Sequence, residues 1–178
     1  QRTLSMVLKQ ILLLVIVTFI PALELRASIP FGILYGSERF GIEQGVLSWP
    51  MVVLVCIVAN IVLGWGVFFV IAPIISWLEH FAWFQKFITP ILNRTRTKLK
   101  PYVDKYGEFG VAVFIGIPLP GSGVYTGAVG AFVLGLEKRK FAVANVIGVL
   151  IAGAAVTAVS LLVQAGIEMP WLQWILKH

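Results

Sequence analysis

Among 178 residues there is one cysteine, Cys56, and it lies within an apolar run. An intrachain disulfide is therefore excluded, and an ordinary buried thiol is the expectation. Histidine is almost as scarce. His80 and His178 stand apart, with no CxxC or HExxH spacing, so no zinc site is expected. No nucleophile–base pair or metal-ligand cluster emerges, which argues against an intramembrane enzyme. Charge is the largest deficit. Charged residues are 12% of the chain and hydrophobic ones 59%, whereas soluble domains carry about 25% charged residues. So little polar surface cannot face water on all sides. The composition reads as an integral membrane protein of one compact unit.

The net charge of +6 would raise nucleic-acid binding in a soluble chain. Here the basic residues fall mostly in two short stretches between apolar runs, as cytoplasmic loops do, and no nucleic-acid partner is expected. Residues 4–23 have the apolarity of a signal peptide. However, Pro21, Glu24 and Arg26 follow without an A-x-A pattern, so they are read as part of the mature chain.

Four apolar regions follow one another, at about 4–36, 46–77, 107–136 and 141–165. The third lies between two basic clusters, Arg94, Arg96, Lys98, Lys100 and Lys105 before it and Lys138, Arg139 and Lys140 after it. A single crossing would put one cluster on the wrong side. Its centre, Gly116-Ile117-Pro118-Leu119-Pro120-Gly121-Ser122-Gly123, would break a helix. Both features fit a re-entrant hairpin that turns near Pro118–Gly123, each arm of about 12 residues reaching about 18 Å, roughly the membrane middle. A single kinked, tilted helix is the competing reading. The first region has the same form, with Pro21, Glu24, Arg26, Ser28, Pro30 and Gly32 between the arms Met6–Ile20 and Phe31–Tyr35. Its rival is a conventional span ending near Ala22, with Glu24 and Arg26 at the surface.

The second and fourth regions read as true spans, and Val58-Ala59-Asn60-Ile61 is similar to Val143-Ala144-Asn145-Val146. Phe19-Ile20 and Phe114-Ile115 precede the two breaks. The expected fold is all-α and integral to the membrane: two inverted repeats, each a re-entrant helical hairpin followed by a transmembrane helix. Repeat 1 covers about 4–77 and repeat 2 about 107–165. An interfacial amphipathic connector at about 78–106 joins them, and an interfacial tail, 166–178, with Trp171 and Trp174 closes the chain. Counting crossings puts the N-terminus outside, against which Arg2 and Lys9 argue mildly.

Leu23-Glu24-Leu25-Arg26 with Ile29-Pro30, and Ile117-Pro118-Leu119-Pro120-Gly121-Ser122-Gly123 with Tyr125-Thr126-Gly127, resemble the two signatures of the small multidrug export proteins. Asn60, Gly148 and Ala152-Gly153 match further positions, and the likeness covers about residues 15–165. Ala59 stands where that family has Gly, Ser122 where it has Thr and Tyr125 where it has Trp. The resemblance implies membership of the DedA superfamily and two facing re-entrant hairpins. It also implies a multi-pass protein of a prokaryotic plasma membrane that moves lipids or polyprenyl phosphates between leaflets. The Gly-Asp pair and the arginine-containing P-G-x-R element of core DedA members are missing, so their substrate does not carry over directly.

Ionisable residues at membrane depth are functional by default. Glu24 is the candidate coupling site for H⁺ or Na⁺; Arg26 suits a phosphate through its planar fork. At i, i+2 the two share a face only if the break is extended, which Pro21 and Pro30 favour. Pro118, Pro120, Gly121, Ser122 and Gly123 shape a turn that opens a helix arm, whose free N–H groups form an anion nest. Tyr125 and Thr126 add hydroxyls. Asn60 and Asn145 either cap broken-helix carbonyls or line the pathway. The purely structural reading stands beside these: a self-neutralising ion pair, glycines for the turn and tight packing alone, and asparagines as caps of broken-helix carbonyls. Small residues at Gly148 and 152–155 mark packing or a homodimer interface. The function expected is a flippase for an amphiphilic anion, with membrane lipids as partners, no cofactor beyond H⁺ or Na⁺, and no catalysis. An uncoupled scramblase, a small-molecule exporter and a non-transporting scaffold are the alternatives.

Overall fold

The computed structural model describes residues 2–21, 23–35, 47–117 and 122–166, and their regular structure is entirely helical. Helix α1 spans Arg2–Phe19 and α2 spans Glu24–Pro30, continued by a π-helical turn at Phe31–Tyr35. Helix α3 spans Trp49–Leu78, α4 Ala82–Gly116, α5 Val124–Val133 and α6 Lys138–Gln164. With 30 and 27 residues, α3 and α6 are long and apolar enough to cross a membrane. At about 1.5 Å per residue they reach about 45 and 40 Å. Proline in the first turn of α3, where no N–H is needed, fixes its start.

Polarity in the bundle is reversed relative to a water-soluble fold. Leu4, Leu8, Leu12 and Ile16 of α1 and Leu54, Val58, Val62, Trp65 and Phe69 of α3 form exposed apolar stripes at helical spacing. Gln10, Thr18, Glu24, Ser28, Asn60, Asn145, Thr157 and Ser160 are buried. An apolar outside of this extent suits hydrocarbon rather than water, and it makes this a membrane protein.

Contacts between named residues fix the direction of each helix. Leu14 and Val52 both border Gly32, and Thr18 and Ser28 flank the Cys56 thiol. Helices α1 and α3 therefore run parallel, with α2 folded back between them. Gly148 lies against Ala112 and Ile115, and Gly116 against Ile151, so α4 and α6 also run parallel. Ile115 fills the space beside Gly127, so α5 folds back along the end of α4. Helices α3 and α6 are antiparallel. Phe68 stacks on Phe141 at 4.3 Å between centroids, Asn145 donates to the Ile61 carbonyl at 3.0 Å, and Ile57 packs on Gly153. Each short helix also crosses to the far side, α2 packing on α6 and α5 on α3.

Several expectations change. The first break is not extended: Glu24–Pro30 is helical, held by backbone bonds from Ala27 N to Leu23 O and by the Ser28 hydroxyl on the Glu24 carbonyl at 2.9 Å. The second arm therefore begins at Glu24, and Phe31–Tyr35 is its widened end. Pro30 lacks the N–H that would continue an α-helical ladder, and a π turn follows it. The expected connector and the apolar stretch after it, expected as separate elements, are one helix, α4, which passes 106 without interruption. Within it Trp83, Phe87 and Ile91 form an exposed apolar stripe. Gly148 and Gly153 are used inside the chain, against α4 and α3. The C-terminal tail beyond 166 and the loop 36–46 lie outside the described residues.

A Cβ at Gly148 would come within 2.7 Å of the Ala112 carbonyl oxygen and of Ile115, whereas one at Gly66 meets nothing within 4 Å. Gly148→Val is therefore expected to destabilise the protein by about 1–3 kcal/mol through overpacking. Gly66→Ala should be neutral or stabilising by up to about 1 kcal/mol. Thermal unfolding in detergent, followed by tryptophan fluorescence, checks both; equal effects would contradict the assigned α4–α6 contact.

Candidate functional site

The two breaks meet at about the middle of α3. Helix α5 starts after Gly123, whose φ of 126° is a backbone conformation open to glycine and closed to most side chains. No side chain of its own first turn caps α5. The cap comes from a residue about a hundred positions earlier. One carboxylate oxygen of Glu24, Oε2, accepts the Val124 N–H at 3.1 Å, and Oε1 accepts the Tyr125 N–H at 3.5 Å. Glu24 itself has φ 44°, a left-handed conformation that costs a non-glycine residue about 1–3 kcal/mol. That conformation at the start of α2 turns the carboxylate onto α5, and the charge on a helix N-terminus returns up to about 2 kcal/mol.

Arg26 is half-buried and reaches the same turn from the other side. Its Nη2 donates to the Ser122 carbonyl and to the Ser122 hydroxyl, the latter at 2.9 Å. That hydroxyl in turn donates to the Ile117 carbonyl at the end of α4, at 2.5 Å. Arg26 also acts on Glu24 through space. The Tyr125 phenol donates to the Phe19 carbonyl at the end of α1, at 2.5 Å. Asn60, 2% exposed, directs its amide at the Glu24 carboxylate, while its carbonyl oxygen is buried without a partner. The site thus holds one carboxylate, one guanidinium, two hydroxyls, an amide and the first N–H groups of a helix.

The structure brings Glu24, Arg26, Asn60, Ser122, Gly123 and Tyr125 together. Thr126 turns away: it is exposed, with its hydroxyl 3.4 Å from the Gly123 carbonyl, and it borders a groove between α4 and α5. Asn145 is fully buried and donates to the Ile61 carbonyl, so it bonds to the body of α3 and not to a broken arm. Pro30 ends α2 and makes no polar contact with the cluster. Pro118, Pro120 and Gly121 lie outside the described residues. Sequence reasoning missed the Phe19 carbonyl, because a main-chain acceptor has no signature in a side-chain pattern. It also missed the Thr18–Ser28–Cys56 polar contact.

The helical, inward-polar fold and this junction are the setting for the comparison with known proteins. A family model described as "Putative small multi-drug export protein" matches residues 24–155, so its first matched residue is Glu24. The chain belongs to this family. Neither the curated proteins nor the solved structures contain a match. Membership places the chain among membrane transport proteins, in agreement with its two membrane-length helices.

A Cβ at Gly123 would overlap the Glu24 carboxylate. Gly123→Ala should destabilise the protein by about 1–3 kcal/mol through strain and displacement of Glu24. Combined with Glu24→Ala, the loss should be smaller than the sum of the two single losses, because the overlap disappears. A double-variant cycle of thermal or denaturant unfolding reads this out, and strict additivity would contradict it.

Proposed function

We propose that this protein is a flippase that moves an amphiphilic anion, a lipid or polyprenyl phosphate, between leaflets, with Glu24 as the coupling-ion site. The observation that carries the reading is the junction itself: Glu24 and Arg26 of one break on the Ser122–Tyr125 turn of the other. A carboxylate and a guanidinium at mid-helix depth are costly in hydrocarbon and serve ion or substrate pathways where they occur. The arginine fork and the α5 N-terminus both favour phosphate. The hydroxyls of Ser122 and Tyr125 and the amide of Asn60 complete a polar path through an apolar bundle.

The architecture we propose is that of the DedA superfamily, with two re-entrant hairpins that enter from opposite faces. Several contacts support it. Helix α1 is to α3 as α4 is to α6, both pairs parallel; the two triplets are antiparallel to each other; and each short helix packs on the long helix of the other triplet. Broken helices in inverted repeats put a binding site at the midplane and allow alternating exposure. The cell membrane of a prokaryote, crossed more than once, is the location this reading requires.

A second reading, export of small apolar molecules, is favoured by the family description and by one cavity. The groove between the end of α4 and α5 has a volume of about 390 Å³ and is lined by residues such as Gly110, Phe114, Gly127 and Gly130. That volume falls in the range of drug-sized ligands.

Reconstitution with fluorescent lipids and undecaprenyl-phosphate analogues, with and without a pH gradient, separates these. Glu24→Gln and Arg26→Ala should each lower flux at least about tenfold, with the size-exclusion profile unchanged. Full flux in both variants would sink the flippase reading. Gradient-independent leaflet mixing that tolerates Glu24→Gln would mark a scramblase, and drug efflux without lipid movement an exporter. For topology, single cysteines in a Cys56→Ser background should label from one side at Lys105 and Lys138 and from the other at Ser48. Labelling of Lys105 and Lys138 from opposite faces would overturn the hairpin.

A further inference from the structure

Glu24 holds the place that an external oxyanion would take. Its carboxylate is bound by the Val124 and Tyr125 N–H groups, as a phosphate is bound at a helix N-terminus. Arg26 stands at the same turn on neutral partners, the Ser122 carbonyl and hydroxyl. Bonded to no carboxylate among the described residues, its charge is open to an anion. A place for the proton is marked by Asn60. The residue is 2% exposed, its amide faces the carboxylate, and its carbonyl oxygen is a buried acceptor without a donor. Beside a carboxylate, the donor that such an acceptor fits is a carboxylic O–H, after rotation of the amide.

We propose that Arg26 and the Val124 and Tyr125 N–H groups form an oxyanion site that Glu24 fills when charged and vacates when protonated, so that one proton and one phosphate-class anion bind together. Charge balances in both states. With Glu24 ionised, it and Arg26 sum to zero. With a proton on Glu24, the excess positive charge of Arg26 is cancelled by the incoming anion. Either state avoids an uncompensated charge in a low-dielectric interior, whereas a charged Glu24 together with a bound anion would not. The proton goes to a Glu24 oxygen, whose O–H then donates to Asn60 Oδ1; the freed N–H groups pass to the anion. Among the described residues, the titratable groups that face Glu24 are Arg26 from its own helix and the Tyr125 phenol from α5. Helix α3 contributes the uncharged Asn60, and α1 the Phe19 carbonyl behind Tyr125. Helix α6 meets α2 near Gly153, about 20 Å along the helix from its cations at Lys138–Lys140.

This inference rests on the transport reading for its substrate class and adds the sign of the coupling: proton and anion assist each other's binding. The test titrates the full chain in uncharged detergent and sodium-free buffer with two phosphodiesters that do not ionise further between pH 5 and 8. One is dimethyl phosphate, the other dioctanoyl phosphatidylglycerol. Wild-type affinity should rise as pH falls, approaching about tenfold per unit where Glu24 is charged, and level off once it is protonated. Glu24→Gln should bind at least as tightly as the wild type at pH 5 and show no pH dependence. Arg26→Gln should lose binding at every pH. Proton uptake from a weakly buffered solution should accompany wild-type binding, at up to one proton per anion, and needs no Glu24 variant. Binding of the lipid alone identifies a headgroup as the source, and binding of both a free anion as well; each supports the proposal. Absence of binding, affinity that is flat or rises with pH, or a Glu24→Gln protein weaker than wild type throughout would overturn it. Coupled binding without flux would refute transport and leave this inference intact; flux with pH-independent binding would do the reverse.

Discussion

A helix broken inside an apolar bundle leaves main-chain groups that water cannot reach, and here the two breaks supply each other's partners. The Glu24 carboxylate takes two N–H groups at the start of α5. The Tyr125 phenol covers the Phe19 carbonyl at the end of α1. Arg26 covers the Ser122 carbonyl, and the Ser122 hydroxyl covers the Ile117 carbonyl at the end of α4. Each unmet group of this kind would cost about 1–3 kcal/mol when buried. The left-handed conformation of Glu24 is tolerable on that scale, because one strained residue satisfies two donors and a helix dipole. Neither break is self-sufficient: each takes part of its main-chain pairing from the other.

Helix direction then sets the depth of this junction. Close packing at Gly148 and Gly116 binds α4 to α6, and contacts around Gly32 and Cys56 bind α1 to α3. The antiparallel α3–α6 pair, with Phe68 on Phe141 at one end and Ile57 on Gly153 at the other, holds the two halves in opposite senses. Under that constraint the ends of α1 and α4 come toward the centre from opposite directions, and Asn60, near the middle of α3, lies beside Glu24.

Much of this was legible in the sequence, for identifiable reasons. The apolar excess and the lengths of the second and fourth regions gave α3 and α6, because a membrane helix needs a long run and little else. Pro118, Pro120 and Gly123 gave the second break through the backbone chemistry of those residues alone. The juxtaposition of Glu24 and Arg26 with Ser122 followed from reading the two breaks as facing each other. The local form of the first break did not follow. Pro21 and Pro30 suggested an extended segment, yet Pro30 closes a helix and a π turn follows where its missing N–H interrupts the ladder, and Glu24 reaches α5 by a strained φ that no pattern encodes. Asn145 was equally opaque. Its likeness to Asn60 is a likeness of sequence, while its partner, the Ile61 carbonyl, is set by how α3 and α6 cross.

Charge is divided unequally across the repeat we propose. In the register that puts Phe19-Ile20 on Phe114-Ile115, the counterpart of Glu24 is Leu119 and that of Arg26 is Gly121. A second carboxylate at the mirrored position would bring two like charges into one low-dielectric pocket, where one of them could not stay ionised. Leucine and glycine at those positions avoid that. The carboxylate of the first break and the main-chain donors of the second are complementary in a way that two identical halves could not be.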